Sequence, residues 1–309
     1  MTLPYFLIIG AMKAGTTTLF RDLAANPQVF FPGFKEPKNL ADDAVLTDQG
    51  RAGYARLFNR AGHGQVCGEA STAYTKMPGI TGVAERARRV LGSGVKVIYL
   101  VRDPVSRTIS QHYHEVTTRR MTDDINEAVR TAPRLIDQSR YAMQLAPWLD
   151  QFGPDHVRVV RFETYVRDRR GVIESVSRFL GIDPRPDLIE PDRAFNISEG
   201  KPALVGIWRL MRHNPIYKHL VRPIVPQRSR EVLGRLLLPQ APARPDPPSL
   251  DTVDYILDRV RDDAETLRKF IGADKPLWDF DAIRRKYAEA KPDDAPSASG
   301  SSGAASGQV

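Results

Sequence analysis

Cysteine is almost absent from this sequence, since Cys67 is the only one among 309 residues. A single thiol excludes an intrachain disulfide framework. Because Cys67 stands in the stretch Gln65-Val66-Cys67-Gly68, we expect it to be a small buried packing residue and not a nucleophile.

Long apolar runs, targeting signals and basic blocks are also missing. No apolar run approaches the roughly 20 residues of a membrane-spanning helix. Residues 1–5 carry no basic segment of the kind that opens a signal peptide, so we expect a cytoplasmic protein. Although the net charge is +8, no Lys/Arg block or nucleic-acid motif appears, and we expect no nucleic-acid partner. An anionic lipid or a small anionic ligand remains.

What is present begins with Phe6 to Phe20, FLIIGAMKAGTTTLF. The apolar run indicates a buried parallel strand, Gly10 and Gly15 bracket a tight turn, and three threonines open a helix. Such a helix start is suited to an anion, and Lys13 stands inside the same loop. The alternative is an ordinary strand-to-helix turn with a solvated lysine.

The nearest known pattern is the Walker A loop, G-x-x-x-x-G-K-[ST]. The spacing of Gly10 and Gly15 fits this pattern, but Thr16 occupies the place of the Walker lysine. A kinase also needs Mg²⁺ held by the loop hydroxyl and a carboxylate. A displaced lysine therefore favours a different phosphate-bearing ligand.

The segment Lys35-Glu36-Pro37-Lys38 follows a short predicted strand. A carboxylate between two lysines, soon after a phosphate loop, is a candidate general base, because its cationic neighbours favour the ionised form. The alternative is a solvated charged turn.

The stretch from Lys96 to His114 is the second one suited to an anion. It reads as an apolar strand, an Arg102-Asp103-Pro104 turn and a helix that carries Ser110. The Arg102 guanidinium can fork onto a phosphate. The structural alternative is Asp103 as a helix cap with Arg102 in an ion pair. The stretch from Lys96 to His114 and the first loop together predict an α/β fold, whose central parallel sheet binds a ligand at its carboxyl edge.

The C-terminal third carries weaker signals. Residues 195–202 include Gly200 and Lys201 and suit a lid over a nucleotide, or else a surface loop. Residues 203–239 are basic and amphipathic, which suits either a helical region packed on the body or peripheral contact with an anionic membrane. Residues 241–248 form a proline-rich linker, and the composition of 291–309 predicts a disordered tail.

The two anion-suited motifs together resemble those of PAPS-dependent sulfotransferases (PAPS is 3′-phosphoadenosine 5′-phosphosulfate). Residues 10–19 are similar to the family's K-x-G-T-[TS] loop, and residues 101–113 to its R-[DN]-P-x-x-R-x-x-S motif. The Lys35-Glu36-Pro37 segment resembles the K-E-x-x-[FY] loop of the heparan-sulfate-type and bacterial branch. Residues 141–152 resemble that branch's Y-x-x-x-L-x-x-W-x-x-x-F helix.

This resemblance implies a P-loop-like three-layer fold, with a sulfotransferase domain over 1–290 that carries a basic, proline-rich insertion at 203–248 near the acceptor. It implies that PAPS is the co-substrate and PAP the product, without a required metal. Lys13 would act on the leaving oxygen, and Glu36 would deprotonate the acceptor, with His112 or His114 as weaker candidates. The implied donor-binding residues are Lys13, Ala14, Gly15, Thr16, Thr17, Thr18, Arg102, Ser110, Gly200 and Lys201.

The sequence departs from the family pattern on the acceptor side. Asn39-Leu40 replaces an aromatic pair, and Glu69-Ala70-Ser71 lacks the lysine of the usual E-K-S-P. The acceptor therefore stays open among glycan, glycolipid, other lipid-linked and small-molecule hydroxyls. Two other functions remain as alternatives: a P-loop kinase or NTPase, and a non-catalytic nucleotide-binding or membrane-binding protein.

Overall fold

The computed structural model describes residues 5–190 and 245–289. Its strands form one sheet in the order β2-β3-β1-β4-β5, and every neighbouring pair is parallel. The strands are β1 (Phe6–Gly10), β2 (Val29–Phe30), β3 (Val66–Ala70), β4 (Lys96–Val101) and β5 (Val157–Arg161). The predicted central parallel sheet is confirmed.

Helices connect and cover these strands. In chain order they are α1 (Thr16–Ala24), α2 (Asp48–Ala55), α3 (Val83–Leu91), α4 (Pro104–Thr117), α5 (Ile125–Thr131), α6 (Arg134–Asp137), α7 (Tyr141–Phe152), α8 (Phe162–Arg167), α9 (Arg169–Leu180), α10 (Leu250–Phe270) and α11 (Phe280–Glu289). Helices α1 and α9 contact each other and the sheet, while α3, α7 and α10 form a second contacting group. Strand β1 is buried over its whole length, as a strand covered on both faces should be.

The strand order reverses around β1. Strand β3 lies on one side of β1 and β4 on the other, so the chain leaves β1 at a topological switch point. Open α/β sheets bind their ligands in the crevice outside the carboxyl ends of the strands at such a point. The loop after β1 and the turn after β4 therefore open into one crevice.

Side chains set the beginnings of two helices. Helix α2 begins at Asp48, because Thr47 caps it by accepting a hydrogen bond from the Gly50 N–H at 3.0 Å. Helix α7 begins at Tyr141, where Asp263 of α10 accepts two backbone N–H bonds from the first turn. That second boundary depends on a distant carboxylate, which local sequence patterns do not reveal.

The expected burial of Cys67, which lies in β3, is confirmed. Trp278 is 8% exposed and packs its ring 5.6 Å from that of Tyr141, so the C-terminal segment docks on the core. Within the two described ranges, no helix is long and apolar enough to cross a membrane. The predicted lid at 195–202, the basic region 203–239 and the tail 291–309 lie outside those ranges.

Candidate active site

The loop after β1 turns sharply between two glycines. Gly10 ends the strand, and the Ala11 N–H donates to the Leu100 carbonyl at 2.7 Å, which ties the loop to β4. Lys13 and Gly15 both have left-handed backbones, with φ of 69° and 92°. The loop thus folds back over the carboxyl end of the sheet, and the chain enters α1 directly from it.

The beginning of α1 is suited to an anion. Gly15 is its N-cap, no acidic residue stands in its first turn, and Thr16 and Thr18 are buried. The first N–H groups of a helix lack intrahelical partners and carry the positive end of its dipole. The structure therefore places the predicted Gly15–Thr18 segment at a position where backbone groups can receive a phosphate.

Gly15 cannot be replaced without strain, and this gives a first prediction. A Cβ at this position would lie 2.9 Å from the Phe162 ring, and the φ of 92° is unfavourable for any L side chain. We expect Gly15→Ala to lower the free energy of unfolding by about 1–3 kcal/mol. Urea unfolding followed by fluorescence measures this change.

The matched control is Gly53→Ala, in helix α2. There the added Cβ would meet only the Arg56 side chain, at an ordinary 3.6 Å. Alanine is the better helix former by about 0.5–1 kcal/mol, so this variant should be neutral or stabilised. Equal destabilisation of both variants would contradict the steric argument.

Arg102 leaves the end of β4 and reaches the first loop. Its Nη1 donates to the Lys13 carbonyl at 3.2 Å, and its guanidinium lies 4.6 Å from the centroid of the Phe162 ring. The Tyr141 hydroxyl donates to the Arg102 carbonyl at 2.7 Å. Backbone and side chain are both held, so the guanidinium is oriented beside the loop. Among the described residues it forms no ion pair with a carboxylate, unlike in the structural alternative.

Helix α4 carries the remaining residues of the second motif. Asp103 caps it, accepting from the Val105 N–H at 2.9 Å, and Pro104 takes the first position. Ser110 is half-buried on this helix. The cap and the arginine therefore have separate tasks: Asp103 starts the helix, while Arg102 is held beside the anion-suited loop.

The two histidines of α4 have different surroundings. His112 is buried, and its Nε2 lies 2.9 Å from the Thr122 carbonyl oxygen. His114 is half-buried, and burial, followed by the positive charges of Lys13 and Arg120, lowers its pKa. Of the two, His114 is the one close to Lys13.

The loop after β2 brings Glu36 to the same edge of the sheet. The Glu36 N–H donates to the Ala70 carbonyl at 2.9 Å, at the end of β3. Its carboxylate accepts from the Thr72 N–H at 3.0 Å and from the Thr72 hydroxyl at 3.2 Å. Glu36 and Lys38 both adopt left-handed backbones, with φ of 65° and 64°. These contacts hold the candidate base instead of leaving it on a solvated turn.

A buried carboxyl supports this loop from below. Glu69 has no exposed surface and accepts hydrogen bonds from Tyr54, Ser71 and Tyr74. Ser71 and Tyr74 in turn accept from backbone N–H groups of the Glu36 loop, at Lys38 and Leu40. Burial raises the pKa of Glu69. The divergent Glu69-Ala70-Ser71 segment therefore has a structural task, which sequence reasoning missed.

Lys35 is a second site residue that sequence reasoning did not select. Its Nζ donates to the Thr16 hydroxyl at 2.8 Å and to the Thr17 hydroxyl at 3.3 Å, and lies 3.5 Å from a Glu36 carboxylate oxygen. It thus connects the start of α1 to the candidate base. The available signal was the K-E pair itself, which shows only that the charges are adjacent in sequence.

A cavity of about 340 Å³ opens beside the first loop. Residues that line it include Met12, Lys76, Glu115, Arg120, Arg134 and Gln138. Glu115 and Arg134 form an ion pair at 2.6 Å, so Lys76 and Arg120 leave the lining positively charged. Burial lowers the pKa of Lys76, and the nearby Glu36 carboxylate is the main opposing influence. The cavity therefore adjoins the lysine loop, and the charge of the candidate base acts on one of its lining residues.

The structure brings most of the predicted residues to one place. Lys13, Gly15, Thr16 and Arg102 meet through the contacts above, and Glu36 joins them through Lys35. The predicted lid residues Gly200 and Lys201 lie outside the described ranges. The roles assigned to all of these residues stay predictions.

The chain is similar to known sulfotransferases. Residues 4–187 match the sulfotransferase family. Heparan sulfate glucosamine 3-O-sulfotransferase 3B1 of Homo sapiens is 31% identical over 245 residues, covering 76% of this chain and 60% of that protein. Carbohydrate sulfotransferase 15 of Mus musculus is 23% identical over 254 residues, covering 59% and 44%.

A solved structure supports the fold. A sulfotransferase from Alicyclobacillus acidocaldarius superposes with a TM-score of 0.62 at 22% identity, covering 92% of this chain and all of that one. The chain spans only 60% and 44% of the lengths of the two curated relatives. Their acceptors and complete activities therefore do not transfer to this chain directly.

Proposed function

We propose that this chain, which belongs to the sulfotransferase family, transfers a sulfuryl group from PAPS to an acceptor hydroxyl. The observation that carries the proposal is the meeting of two cationic loops and one held carboxylate at the switch point of the sheet. A loop for the donor's 5′ end, an arginine for its 3′ end and a base for the acceptor then follow β1, β4 and β2, along the same carboxyl edge of the sheet.

The donor-binding residues fit a doubly phosphorylated nucleotide. The start of α1, with Gly15 to Thr18, receives the 5′-phosphate through backbone N–H groups and hydroxyls. Arg102 and Ser110 hold the 3′-phosphate, which distinguishes PAP from AMP and ATP. The fit rests on the missing Cβ at Gly15, where a side chain would press on Phe162, and on the absence of acidic residues in the first turn of α1.

PAPS supplies the sulfuryl group when it is bound, and the chain's own residues provide the proton and charge balance. Glu36 accepts the proton of the acceptor hydroxyl as the new oxygen–sulfur bond forms. The bond between sulfur and the 5′-phosphate oxygen breaks at the same time, and that oxygen keeps the electron pair. Lys13 neutralises the charge that develops there, so no metal ion is needed for this task.

Glu36 is better placed than either histidine to act as the base. Its carboxylate accepts a hydrogen bond from Thr72. Lys35 connects that carboxylate to the start of α1, because its ammonium contacts both Glu36 and the Thr16 hydroxyl. The His112 Nε2 atom is bonded to the Thr122 carbonyl, so this histidine serves in packing. His114 lies closer to Lys13 and is the second candidate.

The acceptor binds in the cavity beside Met12, according to this proposal. Its size, about 340 Å³, is near the lower end for small-molecule sites, which run from roughly 300 to 1,000 Å³. Lys76 and Arg120 favour an acceptor that carries a negative charge. A glycan hydroxyl fits these features.

Calorimetric titration without added metal tests the donor assignment. We expect PAP to bind at least about tenfold more tightly than AMP or ATP, because one charge-assisted hydrogen bond contributes about 1.5–3 kcal/mol. Arg102→Ala should remove most of this preference. A preference for ATP with Mg²⁺ would instead support the kinase alternative.

The control variant is Arg178→Ala, whose side chain is 69% exposed on α9. It should bind PAP as the wild type does. A PAP affinity that is equal in the Arg102→Ala variant and the wild type would contradict the role of Arg102.

The acceptor is then sought in a screen of charged and neutral sugars with radiolabelled PAPS. Binding to liposomes without sulfate transfer would instead support the non-catalytic alternative.

A further inference from the structure

Lys35 lies where an ordinary surface lysine would not. Its side chain is only 17% exposed, and its ammonium faces two threonine hydroxyls at the start of α1. Threonine hydroxyls do not neutralise a charge. Among the described residues, the nearest carboxylate oxygen is on Glu36, 3.5 Å away, and that carboxylate also accepts hydrogen bonds from Thr72.

A largely buried ammonium of this kind is costly without a full counter-charge. Burial lowers the pKa of Lys35, and the Glu36 carboxylate opposes that effect only in part. An anion at the start of α1 would supply the missing charge. Thr16 and Thr17, which Lys35 already contacts, occupy the first two helical positions of α1, and an anion at a helix N-terminus sits over these positions.

We infer that Lys35 is a second lysine of the donor site, which bonds the 5′-phosphate of the nucleotide and keeps Glu36 beside it. The inference rests on the proposed function. The threonine hydroxyls hold the ammonium in place, and Lys35 exchanges one of these contacts for a phosphate oxygen when the donor binds. Lys13 and Lys35 then approach the 5′ end from different loops, one after β1 and one after β2.

Binding of three nucleotides distinguishes contacts to the 5′ end of the donor from contacts to its 3′ end. PAP carries both phosphates, adenosine 3′-monophosphate lacks the 5′-phosphate, and AMP lacks the 3′-phosphate. We expect Lys35→Met to weaken PAP binding about tenfold while adenosine 3′-monophosphate binds as in the wild type. The preference for PAP over AMP should be unchanged, because it reports Arg102 and Ser110. Lys35→Arg, which keeps the charge, should retain most of the PAP affinity.

The control is Lys269→Met, on an exposed lysine of α10, which should bind all three nucleotides like the wild type. A loss that is equal for PAP and adenosine 3′-monophosphate would mean that Lys35 only supports the loop, and it would overturn the inference. Unchanged PAP binding in Lys35→Met would overturn it as well. If the wild type itself shows no preference for PAP over AMP, the proposed function fails, and the inference fails with it.

A second measurement uses the wild-type protein, so its outcome does not depend on whether a variant folds. Acetylation of Lys35 by acetic anhydride, followed by mass spectrometry of peptides, reports whether its amine is accessible. We expect PAP to slow this modification severalfold and adenosine 3′-monophosphate to leave it unchanged. Equal rates with PAP and without nucleotide would overturn the inference.

Discussion

Lys13→Ala should reduce sulfate transfer about a thousandfold. The physical reason is that Lys13 stabilises charge that appears on the leaving oxygen only as the bond to sulfur breaks, and loss of one such donor costs about 10²–10³-fold. Lys13 has a backbone φ of 69°, and Arg102 donates a hydrogen bond to its carbonyl. The loop that carries the lysine is therefore held in place. The measurement is the steady-state rate with radiolabelled PAPS and an acceptor from the screen above.

The Lys13 result needs a test for a folded protein and a matched lysine. Lys269→Ala removes a lysine whose side chain is 68% exposed, and it should keep the wild-type rate. Thermal unfolding of both variants verifies that the fold is intact. A Lys13→Ala variant with wild-type activity would remove the basis for the assigned mechanism.

Glu36→Gln should lower the turnover number by about 10²–10⁴-fold, the usual contribution of a positioned general base. The amide has the shape of the carboxylate but cannot accept the acceptor's proton. PAP affinity should stay close to that of the wild type, because Glu36 contacts Thr72 and Lys35 and is not one of the proposed nucleotide ligands. The rate with saturating PAPS and the calorimetric PAP affinity together separate the two effects.

Two histidine variants decide between Glu36 and the histidines. His112→Asn and His114→Asn should retain more activity than Glu36→Gln. The surface control is Glu174→Gln, on an α9 residue paired with Arg178, and it should be as active as the wild type. If Glu36→Gln stays active while one histidine variant is inactive, that histidine is the base and the assignment of Glu36 is wrong.

The two strand-end motifs could be predicted from sequence because their signals are local. An apolar run, a glycine turn and a threonine-rich helix start are contiguous, and so are the strand, the Asp103 cap and Pro104. Each element depends on neighbours within a few residues, so the pattern itself indicates the structure. The parallel sheet followed from the alternation of such strands with helices.

The Glu36 loop could be selected from sequence but not built from it. Its position depends on hydrogen bonds to the end of β3 and on the hydroxyls around the buried Glu69, some 33 residues further along the chain. Glu36 and Lys38 also take left-handed backbones, which their residue types do not favour. Only the pairing of β2 with β3 brings these groups together.

The histidines and lysines show the same division between local pattern and packing. His112 and His114 are two residues apart on one helix, so they point in different directions, and packing alone decides that His114 is the one near Lys13. The sequence by itself determined the anion-binding strand ends, because their residues are neighbours along the chain. The tertiary structure decided that Lys35 contacts α1 and that Lys76 lines the cavity, because these contacts join segments that only the folded sheet places side by side.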